Sequence, residues 1–161
     1  MMDILARLFS RREPVLSEAT ARDATTIAVL HAASFNRGWS EDEIDRLMLE
    51  RNVLTHRATM NGRLLGFIMS RAVEDEAEIL SVAVTQTFRG RGLARRLLDL
   101  HLRRLAGLGT RVVFLEVDEG NAAARRLYLR AGFGEAGRRE AYYTSPAARP
   151  SAALVLRRDL A

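Results

Sequence analysis

Two stretches of this chain carry residue types and spacings that could do chemistry. The first is Arg89-Gly90-Arg91-Gly92-Leu93-Ala94, placed between the apolar run Ile79-Leu80-Ser81-Val82-Ala83-Val84 and a leucine-rich segment. A short polar link with two glycines between a strand and a helix turns backbone N–H groups toward an anion. Arg89 and Arg91 strengthen a phosphate reading, because guanidinium forks match phosphate oxygens. The plain alternative is a solvated turn that uses glycine for positive φ. Two guests are excluded by spacing. A dinucleotide fingerprint needs a third glycine that is missing here, and no Lys-Ser/Thr follows as a triphosphate loop requires.

The second stretch is Leu115-Glu116-Val117, where an acid ends an otherwise apolar segment and needs a reason. Further on, Asn121 stands where an N-cap belongs, and Tyr128 lies on an apolar helical stripe where it is either packed or functional. His31, His56 and His101 fall in different elements without metal-ligand spacing, and are expected to be structural or solvated. No metal is expected.

These groups need a scaffold. A chain of 161 residues that is 48% apolar and 28% charged is one ordinary globular domain with a sizeable core. It has no cysteine, which excludes disulfides, zinc–thiolate sites and thiol nucleophiles, and suits the expected cytoplasmic location. All 25 basic side chains are arginine, so lysine Schiff-base chemistry is excluded as well. The net charge of +5 is spread along the chain and only 6% of residues are aromatic, which argues against direct nucleic-acid binding as the main task. No apolar run approaches the roughly 20 residues of a membrane span, and no membrane partner is expected. In residues 1–9 the apolar positions precede Arg11 and Arg12, the reverse of a signal peptide, so residues 1–13 read as a helical extension before a single domain at 14–161.

Periodicity supplies the elements. Residues 15–19 read as a short strand, 24–35 as a helix, and Ser40 with Glu43 as a capping box opening a helix over 41–49. Asn61-Gly62 joins strands at 55–60 and 63–73, the strongest hairpin signal in the chain. A strand at 78–84, a leucine-striped helix at 92–105 and a nearly continuous apolar strand at 111–117 follow. That last strand is expected to lie centrally in a sheet covered on both faces. A helix at 121–131 closed by Gly132, then strands at 138–143 and 152–158, complete a mixed α/β domain.

In this setting Val82-Ala83-Val84, the turn and the following helix resemble the acyl-CoA-binding core of the GNAT superfamily of N-acetyltransferases. Its pattern of Arg or Gln, two residues, Gly, one residue, Gly or Ala is met by Arg89, Gly92 and Ala94, with Gly90 as an extra. The segment from Glu116 through Asn121 and Tyr128 to Gly132-Phe133-Gly134 is similar to the signature of the RimI-type ribosomal-protein-alanine N-acetyltransferases. Trp39-Ser40-Glu41, and Arg138-Arg139 with Tyr142-Tyr143, resemble that group too. The resemblance spans about residues 15–160. It implies a GNAT fold, a mixed, mostly antiparallel central sheet of about six to seven strands flanked by about four helices.

It further implies acetyl-CoA as acetyl donor, held by Val82, Ala83, Val84, Arg89, Gly90, Arg91, Gly92, Leu93, Ala94 and Asn121. Glu116 would be the base beside the incoming amine and Tyr128 the acid at the departing sulfur. Trp39, Glu41, Tyr142 and Tyr143 would line the peptide site. Strand alternation lets only one of the two tyrosines face it, and Trp39 and Glu41 have alternatives in core packing and helix-start charge. The implied acceptor is the N-terminal alanine of a small-subunit ribosomal protein, and the expected assembly is a monomer or weak dimer. One departure concerns the last strand, entered through Pro150-Ser151-Ala152 where RimI-type chains usually carry an acid. It bears on peptide recognition more than on acyl transfer. A lysine, a different protein N-terminus or a small-molecule amine remain alternative acceptors. A non-catalytic acyl-CoA-binding module and an RNA- or ribosome-binding accessory are the other classes.

Overall fold

The structure is a computed structural model and describes residues 12–140 and 151–160. In chain order these form β1 (Val15–Glu18), α1 (Ala24–Ser34), α2 (Glu41–Leu49), β2 (Val53–Met60), β3 (Arg63–Val73), β4 (Glu76–Val84), α3 (Leu93–Gly107), β5 (Val112–Asp118), α4 (Ala122–Arg130), β6 (Gly134–Arg139) and β7 (Ala153–Asp159). Short 3-10 turns, Ala21–Asp23 and Gln86–Phe88, lead into α1 and toward α3. Most of the extension at 1–13, and both Tyr142 and Tyr143, lie outside the described residues.

The seven strands make one sheet in the order β1-β2-β3-β4-β5-β7-β6. Every neighbouring pair is antiparallel except β4 and β5, which run parallel through the crossover helix α3. The architecture is the mixed, mostly antiparallel sheet with four flanking helices that the resemblance implied.

Local chemistry sets the boundaries. Asn61 and Gly62 take φ of 52° and 74°, the positive pair that a tight hairpin turn between twisted strands requires. At the head of α2 the Ser40 hydroxyl accepts from the Glu43 amide at 3.1 Å, and the Glu43 carboxylate accepts from the Ser40 amide at 2.7 Å. Gly132, at φ 89°, turns the chain out of α4.

Two cores lie on opposite faces of the sheet. On one, Leu93, Leu97, Leu98, Leu102 and Leu105 of α3 pack with Val113, Leu115, Val117 and the Tyr128–Phe133 pair. On the other, Ile27 and Leu30 of α1 and Ile44 of α2 cover Phe67, Met69 and Ala83. The α3 face also holds a polar knot. His101, fully buried, has its Nδ1 2.7 Å from Nδ1 of His56 and its Nε2 2.7 Å from the Ser70 hydroxyl. Burial pushes the His101 imidazole down to about 3 and lowers His56 as well, so both are neutral near pH 7. The knot ties α3 to β2 and β3.

The expectation that β5 is covered on both faces is corrected. The strand is central in the sheet, and Val113, Leu115 and Val117 are buried, but Glu116 and Asp118 on the other face are exposed. The reason is the placement of α1 and α2, which pack over β2, β3 and β4 and leave this part of β5 bare. The strand expected at 138–143 begins earlier, at Gly134, because the chain leaves α4 directly into its pairing with β7.

Candidate active site

The site begins with a failure of pairing. β4 and β5 are in register only from Glu76↔Val112 to Ile79↔Leu115. Leu80 is an extra residue against β3, since Met69 pairs with Ser81 and Ser70 with Ile79. Such a bulge bends its strand and shifts which side chains share a face. Beyond it β4 pairs with β3 alone, so residues 80–84 leave one backbone edge open where β4 and β5 part.

The opening leads into a cleft of about 520 Å³ lined by Val82, Ala83 and Val84, the turn after β4, the first residues of α3, and α4. Gly90 and Gly92 both take left-handed backbone conformations, φ 76° and 80°, with open space where a Cβ would stand. Arg89 donates from Nε to the Val84 carbonyl at 3.0 Å, tying the turn to the end of the strand. The contrast with the starts of α2 and α4 is informative, while α1 continues from the 3-10 turn at Ala21–Asp23 without a side-chain cap. Ser40 caps α2 and Asn121 caps α4, accepting from the Ala124 amide at 3.1 Å. The residue before α3 is Gly92, which has no side chain to cap with. The first N–H groups of α3 are therefore left for water or an anion. Leu93 and Ala94 lie at this end and line the cleft together with Arg95, Arg126 and Arg130.

Of the residues singled out for the donor, Val82, Ala83, Val84, Arg89, Gly90, Gly92, Leu93 and Ala94 all line this cleft. Arg91 turns aside, its guanidinium 4.7 Å over the Phe88 ring, into a neighbouring recess shared with Arg12, Asn61 and Arg96. Asn121 stays at the head of α4 as its cap and is not in the lining.

Tyr128 is 8% exposed, lines the cleft, and meets Phe133 edge-on at 5.7 Å. Its hydroxyl has no hydrogen-bond partner among the described residues. Loss of solvent pushes the phenol up to about 12, so it keeps its proton throughout the neutral range.

Glu116 lies across the sheet from Tyr128. Its neighbours Leu115 and Val117 point to the α3 face, and Glu116 points to the α1 and α2 face, with its side chain 38% exposed. Glu116 follows Leu115, the last β5 residue paired with β4, so it stands where the two strands part, while Tyr128 lines the cleft on the other face. Arg139 of β6 donates to Glu116 Oε2 at 2.6 Å.

Trp39 and Glu41 share the α1 and α2 layer and are not part of the cleft. The Trp39 ring stacks on His31 with centroids 4.4 Å apart, and its amide donates to His31 Nδ1 at 3.0 Å. Glu41 accepts from the Thr25 hydroxyl at 2.6 Å, linking α2 to α1. Among the described residues no group of three or more His, Asp or Glu could hold a metal ion.

Sequence reasoning missed Arg95, Arg126 and Arg130 at the cleft, and Arg139 at Glu116. The i, i+4 spacing of Arg126 and Arg130 on α4 was a usable signal for the first group.

Comparison with known proteins fits this geometry. The pattern of the acetyltransferase (GNAT) family matches residues 19–133. Ribosomal protein bS18-alanine N-acetyltransferase of Escherichia coli is 35% identical over 117 residues, 73% of this chain and 78% of that protein. The Haemophilus influenzae protein of the same name is 29% identical over 142 residues, covering 88% of this chain and 96% of the relative. The crystal structure of the Escherichia coli ribosomal-protein-S18-alanine N-acetyltransferase superposes with a TM-score of 0.84 at 28% identity, over 92% of this chain and 94% of that one. With this match over most of its length, and with the parted strands and uncapped helix its fold supplies, the chain belongs to the acetyltransferase (GNAT) family.

Proposed function

We propose that this acetyltransferase moves an acetyl group from acetyl-CoA to the N-terminal alanine amine of a protein, a small-subunit ribosomal protein being the first choice. The observation that carries the reading is the arrangement around the parted strands: a protonated phenol on the cleft side and a carboxylate on the other side. Similarity to the bS18-alanine enzymes supports the choice of acceptor.

The residues present suit the donor. The bare N–H groups at the head of α3, with Arg89 and Arg95 nearby, suit its phosphates. The open backbone edge of residues 80–84 suits an extended arm carrying amides. When bound, acetyl-CoA supplies an acetyl group activated as a thioester.

The protein's part is positioning and proton transfer. Glu116 attracts the cationic amine on the exposed face and takes its proton, directly or through one water. An α-ammonium has a reference pKa near 8, so this deprotonation costs only about 1 kcal/mol at neutral pH. The amine then attacks the acetyl carbonyl through the gap. As the carbon–nitrogen bond forms and the carbon–sulfur bond breaks, Tyr128, still protonated, would give its hydroxyl proton to the leaving sulfur. The new amide nitrogen sheds its second proton to solvent, from which Tyr128 is reprotonated. Trp39 and Glu41, on the same layer as the Glu116 face, would border the acceptor.

Mass-resolved acetylation of peptides differing at their first two residues tests the acceptor, with an α-blocked lysine peptide as control. Transfer is expected to peptides beginning with alanine and to stop when the α-amine is blocked. Equal transfer to the lysine side chain would overturn the specificity. Glu116→Gln is expected to lower turnover by at least 100-fold and leave acetyl-CoA affinity within twofold.

A further inference from the structure

Arg139 is placed on Glu116 by strand register. Glu116 of β5 stands opposite Val155 of β7, and Val155 stands opposite Gly137 of β6. The next row on the same face is Asp118, Ala153 and Arg139. To reach Glu116, the Arg139 side chain must cross β7 diagonally, roughly 10 Å over two strand spacings. The small side chains of its path allow this. Ala153 lies under the arginine stem, and Gly137 presents no side chain beside Val155.

Arg139 has a nearer carboxylate in Asp118, two residues from Glu116 and in its own row. That oxygen is already engaged. Asp118 Oδ1 accepts from the Gly120 amide at 2.7 Å and from the Ser151 hydroxyl. Arg138, on the other face of β6, is bound to Glu119 at 2.8 Å and to Glu140 at 3.2 Å. The register therefore directs one arginine to Glu116 and provides other partners for the acids around it.

The contact is single, from one Arg139 nitrogen to Oε2, and among the described residues nothing else bonds to Oε1. The arginine side chain is 69% exposed, and a pair that open to solvent adds little to stability. Its effect is geometric. An unrestrained glutamate at a strand end samples several rotamers, and a general base works only at hydrogen-bond distance from the proton it removes.

We propose that Arg139 is a positioning residue, holding Oε2 so that Oε1 faces the acceptor amine. This rests on the reading of Glu116 as the acceptor-side base. Arg139→Ala is expected to lower kcat about 10-fold to 30-fold, with KM for the alanine peptide changed less than threefold and the thermal midpoint unchanged. Arg139→Lys restores the cation without the fork and should recover part of the loss. Added guanidinium ion should speed Arg139→Ala and leave the wild type unaffected.

Glu116→Gln distinguishes the two ideas. If it is slow while Arg139→Ala keeps kcat within twofold, the positioning role is overturned and the base survives. If Glu116→Gln works at full rate, the base reading falls and the Arg139 role with it. A rise in peptide KM at unchanged kcat for Arg139→Ala would make Arg139 a peptide-binding residue and also overturn the proposal.

Discussion

The histidine knot under α3 and the cleft beside Tyr128 lie on the same face of the sheet, and their polar groups are treated in opposite ways. In the knot both nitrogens of the His101 ring have partners, His56 and Ser70, and no solvent reaches the ring. Beside the cleft, Tyr128 is almost as buried, yet its hydroxyl has no partner among the described residues, and the first N–H groups of α3 have no side-chain cap. A polar group closed on itself rigidifies a fold. One left open at a cavity wall stands ready for a ligand. The contrast explains how two conspicuous residue types in one layer divide into scaffold and chemistry.

That division can be broken from either side. The largest effect is expected from His101→Ala, which opens a cavity and strands the His56 and Ser70 polar atoms. Denaturant unfolding should show a loss of about 3–5 kcal/mol, with turnover per folded molecule within twofold. Slow catalysis in a stable His101→Ala protein would move the knot into the active machinery. Tyr128→Phe should do the converse, lowering kcat about 100-fold with the unfolding midpoint nearly unchanged. A phenylalanine that supports the wild-type rate would return Tyr128 to packing.

Acid provides the third probe. The His101 imidazole falls to about 3 in the folded protein, against an ordinary value near 6.5, because burial disfavours the charged ring. The unfolded chain therefore binds more protons than the folded one between those values. The stability contribution is full above about pH 6.5 and is lost as pH falls toward 3, by about 1.4 kcal/mol per unit for each proton. His56 adds in the same direction. Unfolding free energies measured from pH 7 to 4 should slope downward in the wild type and more shallowly in His101→Ala; equal slopes would falsify the assignment.

Gly92→Ala comes next. Its φ of 80° is left-handed, so a side chain there costs about 1–2 kcal/mol of strain or shifts the turn. The KM for acetyl-CoA should rise several-fold with that for the peptide unchanged, and an unaltered donor KM would count against the turn as phosphate cradle. The smallest effect is expected at Ser81 on β4, buried with a hydroxyl that has no partner among the described residues. Removing it in Ser81→Ala should change stability by less than about 1 kcal/mol, in the stabilising direction, as measured by thermal melting.

Much of this was legible in the sequence because it was local. Asn61-Gly62, Ser40 with Glu43, and Gly132 each act within a few residues of themselves, and the turns and caps they imply are present. The turn at Gly90 and Gly92 was readable for the same reason, as was its position ahead of a leucine-striped helix. The bare face of β5 was not. An apolar run such as Val112-Val113-Phe114-Leu115 reads the same whether one face or both are covered, and the answer depends on where α1 and α2 come to rest. Arg139 was equally hidden as a partner of Glu116, since its approach depends on two strand registers and on the small side chains between them.

The sequence by itself determined the elements, the glycine turn and the residue types available for acid and base chemistry, because short-range sterics and hydrogen bonding govern those choices. Only the tertiary structure decided that β4 and β5 part after Ile79, that Glu116 and Tyr128 face opposite sides of that gap, and that Arg139 lies against Glu116. Those outcomes depend on long-range pairing and on which layer covers which strand. No single segment carries that information, since it arises from the packing of all of them together.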